Sequence, residues 1–413
     1  MTIFPHEIRT VAGGIVFALS YLVFAFGHIP GTRIDRTAMA VIGGTLMVLL
    51  GVLQPRQALD AVDFPTLILL LGMMLLAAGL NEAGFFAWLT DHTLNHLKPQ
   101  HLLPAVIVTS GVLSALLVND VVCVILTPLV LDVTHRMRRA PLPHLLALAT
   151  ASNIGSVATI TGNPQNILIA SVSHISYVDF LFRLGPVALM GLVADFFILE
   201  WIFRKTLHEE TTTAIKPSLH LAVSFRSMLW PLMILLFVSV AFFAGVNPAM
   251  GAAAGASLLL VSRHTNARVL FSRVDVSLLI FFIGLFVVLA GGEVVGVNQR
   301  LLLASEHLNL GNTVIFTGVV TLLSNLVSNV PAVLLLKPIV VHQGGTHAAW
   351  LLLAMASTLA GNLTITGSVA NIIVVESARD EAHISFWQYL RVGVPVTIVT
   401  LVMGWVWLHF FGR

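Results

Sequence analysis

Long apolar runs decide what this chain can fold into. Eight mostly apolar stretches follow one another, and most of them are as long as a membrane-spanning helix. They cover residues 11–27, 37–53, 64–80, 184–203, 228–245, 248–261, 276–292 and 392–411. Only 10% of the residues are charged, whereas a soluble domain carries about 25%. The sequence therefore predicts an all-α polytopic membrane protein, with residues 1–413 as one membrane domain in the bilayer of the cell (plasma or inner) membrane.

The first apolar run is predicted to be a retained helix and not a secretory signal. It is longer than a typical signal core, and the FGHIPGTR that follows has no small-x-small cleavage site. The single cysteine, Cys123, excludes internal disulfides and cysteine-based metal sites. The net charge of +2 comes from loop arginines, so it does not indicate nucleic-acid binding.

The chain contains an internal repeat. VDFPTLILLLGMMLLAAGLNEAG aligns in register with VDVSLLIFFIGLFVVLAGGEVVG, and three further pairs follow in the same order. The aligned segments are 62–84 with 274–296, 116–130 with 326–340, 152–167 with 357–372, and 175–187 with 384–396. The sequence predicts repeat 1 at 54–203, a polar cytoplasmic linker at 204–227, and repeat 2 at 228–413.

Both repeats carry a broken apolar segment at the same place. Duplicated membrane halves with interrupted helices are typical of secondary transporters, whose solute site lies at the repeat interface near the middle of the bilayer. A purely structural duplication is the alternative. It would not need to keep asparagine, threonine, glycine and proline at corresponding depths, so the pattern favours transport.

The distribution of basic residues bears on topology, because lysine and arginine favour cytoplasmic loops. If the segments around Asn119 and Asn329 enter and return as re-entrant hairpins, ten transmembrane helices remain and the two repeats are inverted. In that arrangement 15 of the 21 basic residues are cytoplasmic. Two fully crossing segments would give parallel repeats and about 14 cytoplasmic basic residues, so charge favours the hairpins only weakly.

The broken segments predict a polar solute site. Backbone that is not helical survives in a membrane only where protein buries it or a wet cavity accepts it. An unwound turn offers carbonyls to a cation, and the helix N-terminus beside it offers N–H groups to an anion. The candidate site residues are Asn119, Asn153, Thr159, Thr161, Gly162, Asn163 and Asn166 in the first half, and Ser328, Asn329, Thr364, Thr366, Gly367, Ser368 and Asn371 in the second.

Asp120 is the candidate coupling residue. A carboxylate inside an apolar run is costly and is usually functional, either titrating during transport or neutralising a cation. The alternative is an N-cap for a helix that begins at Val121.

Three other polar sites lie near the apolar runs. The sequence leaves open whether Asp195 is a core partner or a proton relay, and Lys337 is expected to reach the outer interface. His92 and His96 have metal-ligand spacing but lie in an interfacial amphipathic segment, so no metal site is predicted.

The order of a hairpin with an asparagine tip, then a helix broken at TGNPQN, then the same again resembles the ion transporter superfamily. NDVVCVILTPLV and GLNEAGFFAWL are similar to its arsenite–antimonite permease and sodium–proton antiporter branch. The resemblance covers the whole chain. It implies an elevator mechanism, with the tips Asn119-Asp120 and Ser328-Asn329 opposite the two broken turns. Cys123 lies one helical turn beyond Asn119 on the same face, so its thiol could contact arsenic, although packing is the simpler role.

The resemblance leaves the solute open. The missing tip threonines and the absence of a basic residue at either tip weaken a dicarboxylate hypothesis, whereas neutral amides and hydroxyls suit uncharged arsenite or antimonite. Proton-coupled efflux through Asp120 is the first hypothesis; a sodium–proton antiporter, a sodium-coupled carboxylate or anion carrier, and a passive channel are the others.

No HExxH, GxSxG or P-loop motif indicates an enzyme, and no cofactor is predicted. A homodimer is compatible with this sequence, which does not determine the oligomeric state.

Overall fold

The computed structural model describes residues 5–29, 31–209, 225–262 and 265–411. In this part of the chain the regular structure is helical, apart from one isolated β-bridge between His28 and Asp35. Large apolar side chains such as Phe26, Trp201 and Val261 lie on the outside, where a soluble protein would place polar groups. The prediction of an all-α polytopic membrane protein is confirmed.

Twenty α-helices make up the described structure, ten in each half of the chain. The first half contains α1 (His6–Phe26), α2 (Arg36–Leu49), α3 (Pro55–Asp60), α4 (Phe64–Glu82), α5 (Phe85–His96), α6 (Leu102–Leu116), α7 (Asn119–Arg136), α8 (Pro141–Ser156), α9 (Pro164–Ser173) and α10 (Tyr177–His208). The second contains α11 (Phe225–Phe243), α12 (Pro248–Val261), α13 (Ala267–Ser272), α14 (Val276–Val294), α15 (Val297–His307), α16 (Thr313–Val327), α17 (Asn329–His342), α18 (His347–Ala360), α19 (Val369–Ser377) and α20 (Phe386–Phe411).

The two halves have the same order of long, short and broken helices. The six-residue α3 matches the six-residue α13, and a 3-10 turn precedes both α9 and α19. This correspondence already begins at α1 and α11. The repeat bounds at 54–203 and 228–413 stay predictions. The predicted linker at 204–227 overlaps the end of α10 and the start of α11, and its positions 210–224 lie outside the described residues.

Six described helical segments are long and apolar enough to cross a membrane. They are His6–Phe26, Phe64–Glu82, Pro99–Leu116, Tyr177–Leu207, Val276–Val294 and Phe386–Phe411. The segment Pro99–Leu116 includes α6, the first arm of a hairpin, and other apolar helices such as α2 and α12 are shorter. The count of ten transmembrane helices stays a prediction.

Small residues let helices from opposite halves pack closely. A Cβ atom on Gly72 of α4 would lie 2.8 Å from the Cβ of Ala252 in α12. Gly284 of α14 meets the backbone of Ala40 in α2 in the same way. Small residues at helix contacts bring backbones together where apolar burial alone gives no driving force. Each half therefore contributes one helix to each of two tightly packed pairs, α4 with α12 and α2 with α14.

Two hairpins turn with almost no loop. Only Leu117 and Val118 separate α6 from α7, and only Ser328 separates α16 from α17. Ser328 has φ of +76°, a backbone conformation that is uncommon outside glycine. The tips predicted at Asn119-Asp120 and Ser328-Asn329 are therefore at the turns. That each hairpin turns back without crossing the membrane stays a prediction.

Two helices are broken where the sequence predicted. The α8 helix ends at Ser156 and α9 starts at Pro164, and between α18 and α19 the chain is irregular from Gly361 to Ser368. Proline at the first position of α9 has no N–H to lose and starts a helix easily. The α9 helix has 10 residues, or about 15 Å at 1.5 Å per residue, which is about half the hydrocarbon core.

Replacement of Gly155 by alanine tests the close crossing of α8 and α6. A Cβ on Gly155 would collide with the backbone of Gly111 in α6, which a flexible side chain cannot relieve. Overpacking of this kind costs about 1–3 kcal/mol, so Gly155→Ala should lower the melting temperature of the detergent-purified protein. Gly318→Ala in α16 is the control, because nothing lies within 4 Å of its added Cβ. Equal melting temperatures for the two variants would contradict this packing.

Candidate functional site

The amide of Asn153, near the end of α8, joins the two halves of the protein. Its Oδ1 accepts from Asn119 Nδ2 at 3.0 Å and from Ser368 Oγ at 3.0 Å. Its Nδ2 donates to Asn362 Oδ1 at 2.8 Å and to Asn371 Oδ1 at 2.9 Å. A side-chain amide offers two acceptor sites and two donors, so Asn153 makes every hydrogen bond available to it. This network brings the first hairpin tip to both broken helices.

The two unwound turns are held by the same pair of hydrogen bonds. Asn166 Nδ2 donates to the carbonyls of Ser156 at 3.0 Å and Thr159 at 2.9 Å. Asn371 Nδ2 donates to the carbonyls at the repeat-equivalent positions, 361 at 2.7 Å and 364 at 3.0 Å. Both asparagines are fully buried. Each donates to two carbonyls of its broken segment, of which those of Thr159 and Thr364 also accept from the backbone N–H groups of Gly162 and Gly367. These predicted site residues therefore have a structural role in the turn.

Thr358 occupies the repeat position of Asn153 and performs a related role. Its Oγ1 accepts from Asn163 Nδ2 and from Gln165 Nε2, both at 3.2 Å, and lies 3.4 Å from Asn166 Oδ1. Asn163 also caps α9 by accepting from the backbone N–H of Asn166. Sequence reasoning missed Thr358 and Gln165. The repeat alignment was the signal, since it places Thr358 opposite Asn153.

The predicted threonines divide into two groups. Thr159 donates to the carbonyl of Ala115 in α6, and Thr364 donates to Asn325 Oδ1 at 3.1 Å in α16, so each ties its turn to the first arm of a hairpin. Thr161 lies 3.3 Å from the hydroxyl of Tyr177, and Thr366 is exposed. None of these four lines the cavity described next, whereas the hairpin tips do.

A cavity of about 200 Å³ lies where both hairpin tips meet the starts of α9 and α19. Its other wall comes from the starts of α2 and α14. Its polar lining consists of Asn119, Asp120, Gln165, Ser328, Asn329 and Ser368 on one side, and Arg36, Thr37, Asp275 and Ser277 on the other. Asn119 Oδ1 is buried and has no hydrogen-bond partner in the described structure. Asn119, a lining residue of the cavity, therefore has an unsatisfied acceptor.

The second hairpin tip approaches the second broken helix. In the amide orientation that satisfies its neighbours, Asn329 Nδ2 donates to the carbonyls of Ser357 at 3.1 Å and Gly367 at 3.2 Å. A Cβ on Gly367 would lie 2.6 Å from Asn325 Oδ1 and 2.9 Å from the Gly361 carbonyl oxygen, so only glycine fits this turn without a shift. The structure thus places both predicted tips opposite the two predicted turns.

Asp120 lies in the cavity and does not cap its own helix. The α7 helix starts at Asn119 with Val118 as N-cap and without a side-chain capping bond, so the N-cap alternative for a helix starting at Val121 is wrong. The carboxylate instead faces the backbone N–H of Ala370, in the first turn of α19. A helix N-terminus attracts negative charge. A carboxylate of one half thus meets a half-helix of the other.

Cys123 lies outside the cavity lining. It is one turn beyond Asn119 on α7, but its fully buried Sγ donates to Ser152 Oγ at 3.2 Å in α8. The Ser152 hydroxyl also accepts from Ser114 Oγ at 3.0 Å. The thiol is held within helix packing, and this position does not support the predicted contact with arsenic.

Two charged residues of the cavity were missed in the sequence. Arg36 and Asp275 each directly precede an apolar run, and Asp275 lies in the aligned repeat segment 274–296. Only the pairing of α2 with α14 brings the two residues together at the site. Lys337 lines a different cavity of about 170 Å³, together with Asp63 and Glu293.

Within the described ranges, no group of three His, Cys, Asp or Glu side chains could hold a metal ion. The His92 and His96 rings stack on each other, with their centroids 4.3 Å apart.

Comparisons with known proteins agree with this architecture. A family model described as a citrate transporter, CitMHS, matches residues 21–360. The chain is 30% identical to the silicon efflux transporter LSI3 of Oryza sativa subsp. japonica, over 96% of this chain and 97% of that protein. It is 26% identical to a Dictyostelium discoideum protein with the transporter name arsB, over 94% and 89%. The crystal structure of the Alcanivorax borkumensis YdaH transporter has a similar fold, with a TM-score of 0.59 at 15% identity over 98% and 99%.

Replacement of Asn371 by alanine tests the capping of the unwound turns. The Gly361 carbonyl would lose its donor, while the Thr364 carbonyl would keep only the Gly367 N–H, and an unsatisfied buried group costs about 1–3 kcal/mol. Asn371→Ala should therefore lower the melting temperature of the purified protein markedly. Asn166→Ala should lower it less, because the carbonyls of Ser156 and Thr159 keep a second donor. Asn95→Ala, on the exposed face of α5, provides the control. Melting temperatures of the two buried variants that match the control would show that these bonds do not support the fold.

Proposed function

Because the chain belongs to the citrate transporter family and is a multi-pass membrane secondary transporter, we propose that it exports a small hydroxylated oxyacid in exchange for protons. Arsenite or antimonite is the proposed solute, and Asp120 is the proposed proton-binding residue. The observation that carries this proposal is the unpartnered, buried Oδ1 of Asn119, a residue that lines the cavity beside Asp120.

The polar groups of the cavity suit a neutral solute that donates hydrogen bonds. Asn119 Oδ1 and the Asp120 carboxylate are acceptors, and Ser328 can either donate or accept. Ser368 donates its proton to Asn153 Oδ1, so towards a solute it can only accept. Arsenite carries three hydroxyl groups and is uncharged near neutral pH, so it can supply the missing donors without bringing a charge into the membrane. Silicic acid has the same chemistry, and a relative is named as a silicon efflux transporter. The transporter name arsB of another relative also supports this class of solute.

Asp120 would couple the solute to the proton by competition. The ionised carboxylate can accept a hydrogen bond from a solute hydroxyl, whereas the protonated carboxyl has lost much of that capacity. The proton and the solute would then bind in the cavity at different steps of the cycle, as exchange requires. The repeat partner of Asp120 is Val330, so only one half of the site would carry the coupling group.

The packing supports an elevator-type alternation of access. The tips and broken helices are joined to one another by the hydrogen bonds of Asn153, Asn329 and Thr358. The α2–α14 and α4–α12 pairs are held by close contacts of small residues. Two internally rigid units of this kind could slide past one another with the solute enclosed between them. Inverted repeats and a homodimer stay predictions.

Asp120→Asn tests the proposed coupling. The amide cannot exchange a proton, so uptake of arsenite into everted vesicles under an imposed pH gradient should fall to the level of empty vesicles. Asp132→Asn is the matched control, because Asp132 lies on the same helix and pairs with Arg136 away from the cavity. Unchanged uptake with Asp120→Asn, or no uptake with the wild-type protein, would reject proton-coupled arsenite export. Sodium-evoked proton release would instead favour a sodium–proton antiporter that uses the same carboxylate.

A carboxylate carrier is the second candidate, and Arg36 is the observation that favours it. No basic residue lies at either hairpin tip, but Arg36 reaches the same cavity from α2, and its buried Nε has no hydrogen-bond partner in the described structure. A guanidinium is well suited to bind a carboxylate through two parallel hydrogen bonds. The family description as a citrate transporter agrees with that chemistry.

Thermal stabilisation separates the two candidates. An organic acid that binds through Arg36 should raise the melting temperature of the wild-type protein, and Arg36→Gln should abolish that increase. Stabilisation by arsenite should persist in Arg36→Gln, since the proposed oxyacid site uses Asn119 and Asp120. Arg33→Gln is the control, because Arg33 is exposed on the loop that precedes α2 and is not part of the cavity lining. No stabilisation by citrate or other carboxylates would exclude the carboxylate carrier.

A further inference from the structure

A second carboxyl group lies in the protein interior, away from the cavity lining. Asp195 belongs to the middle of α10, and its side chain has no exposed surface. Thr150 Oγ1 of α8 donates to its Oδ2 at 3.0 Å, while its Oδ1 has no hydrogen-bond partner. Among the described residues, no lysine, arginine or histidine forms an ion pair with it. A single hydroxyl donor does not compensate a buried negative charge, so the arrangement is that of an uncharged carboxylic acid.

The second half of the protein shows that helix packing does not require this polar pair. The repeat alignment places Gly404 of α20 at the position of Asp195, and Met355 of α18 at the position of Thr150. These two residues meet as well, since a Cβ on Gly404 would lie 2.8 Å from Met355 Sδ. The same helix contact is thus apolar in one half and carboxyl–hydroxyl in the other. Buried polar pairs can often be replaced by apolar ones without loss of stability, so the pair suggests a functional role.

A chain of hydrogen bonds connects Asp195 to the candidate site. The Thr150 carbonyl accepts from Asn362 Nδ2 at 3.2 Å, and Asn362 Oδ1 accepts from Asn153 Nδ2 at 2.8 Å. Asn153 Oδ1 accepts from Asn119 Nδ2 at 3.0 Å, and Asn119 precedes Asp120. The chain joins the two carboxyl-bearing helices through residues that are all buried.

The hydrogen bond that the Thr150 hydroxyl donates can change with the charge of Asp195. Its one proton has three acceptors within reach: Asp195 Oδ2 at 3.0 Å, the Leu146 carbonyl at 2.9 Å and the Ala147 carbonyl at 3.4 Å. An ionised Asp195 attracts that proton more strongly than a backbone carbonyl does. When Asp195 is protonated, the Thr150 hydroxyl can donate to the Leu146 carbonyl instead. The Asp195 carboxyl can then donate its own proton to Thr150 Oγ1. The facing helix α20 carries two further buried hydroxyls, those of Tyr389 and Thr397, and Tyr389 lies near both Asp195 and Asn371.

We propose that Asp195 is a second proton-binding residue of the transport cycle, in addition to Asp120. It holds a proton in the conformation described here and releases it in another conformation, where the α8–α10 contact admits water or a cation. Two protons then exchange for each solute molecule. This proposal rests on the proton exchange proposed above and extends it to the stoichiometry.

The stoichiometry of exchange tests this role. In proteoliposomes with the membrane potential clamped at zero, two-proton exchange at a tenfold proton gradient should build an arsenite gradient of about a hundredfold, and one-proton exchange about tenfold. Wild-type protein should show the first result and Asp195→Asn the second. Glu200→Gln, on the same helix, should behave as wild type. An Asp195→Asn protein that retains the wild-type stoichiometry would overturn the proposal, and a normal melting temperature of this variant would show that it is folded.

A measurement without solute separates this proposal from the proposed function. Infrared spectroscopy of the purified wild-type protein should show a carboxylic-acid carbonyl band that is absent in Asp195→Asn, present in Asp120→Asn, and lost as the pH is raised. A band that does not change with pH would make Asp195 a permanently protonated structural residue and overturn the proposal. If the band titrates but wild-type protein moves no arsenite, the proton site stands and the assigned solute is wrong.

Discussion

The need to satisfy backbone carbonyls inside a membrane governs this structure. Each broken helix exposes peptide groups that lipid cannot hydrogen-bond, and a buried asparagine in each half donates to two of them. Asn166 and Asn371 perform this role at equivalent positions with nearly the same distances. Because these side chains hold the turns in place, the starts of α9 and α19 face the hairpin tips. The cavity is a consequence of that arrangement.

The frame is nearly symmetric, but its chemistry is not. Corresponding helices follow one another in the same order in both halves, yet the functional groups differ at three equivalent positions. Asp120 corresponds to Val330, Asn153 to Thr358, and Asp195 to Gly404. All the carboxyl groups in these pairs belong to the first half. A duplicated frame can provide two similar conformations, while coupling to an ion needs a titratable group on one side only. The asymmetry agrees with a division between structural and coupling roles.

The wall opposite the tips adds charge to a mostly neutral site. Arg36 and Asp275 come from two helices that pack through Gly284 and Ala40, so their positions depend on a contact between the halves. Their presence makes the cavity less neutral than the tips alone suggest, and this is why an anion carrier deserves a direct test beside an oxyacid exporter. The acceptors Asn119 and Asp120 favour a donor solute, whereas Arg36 favours an anion.

The sequence by itself determined the membrane class and the position of both helix breaks, because apolar length and the placement of glycine and proline are local properties. It also indicated the asparagines of the network through the repeat. Only the tertiary structure decided that Arg36 and Asp275 reach the cavity, that Cys123, Thr161 and Thr366 do not, and that Asp120 faces α19 instead of capping α7. Such placements depend on which helix faces meet, and helix packing between distant segments leaves no local signal in the sequence.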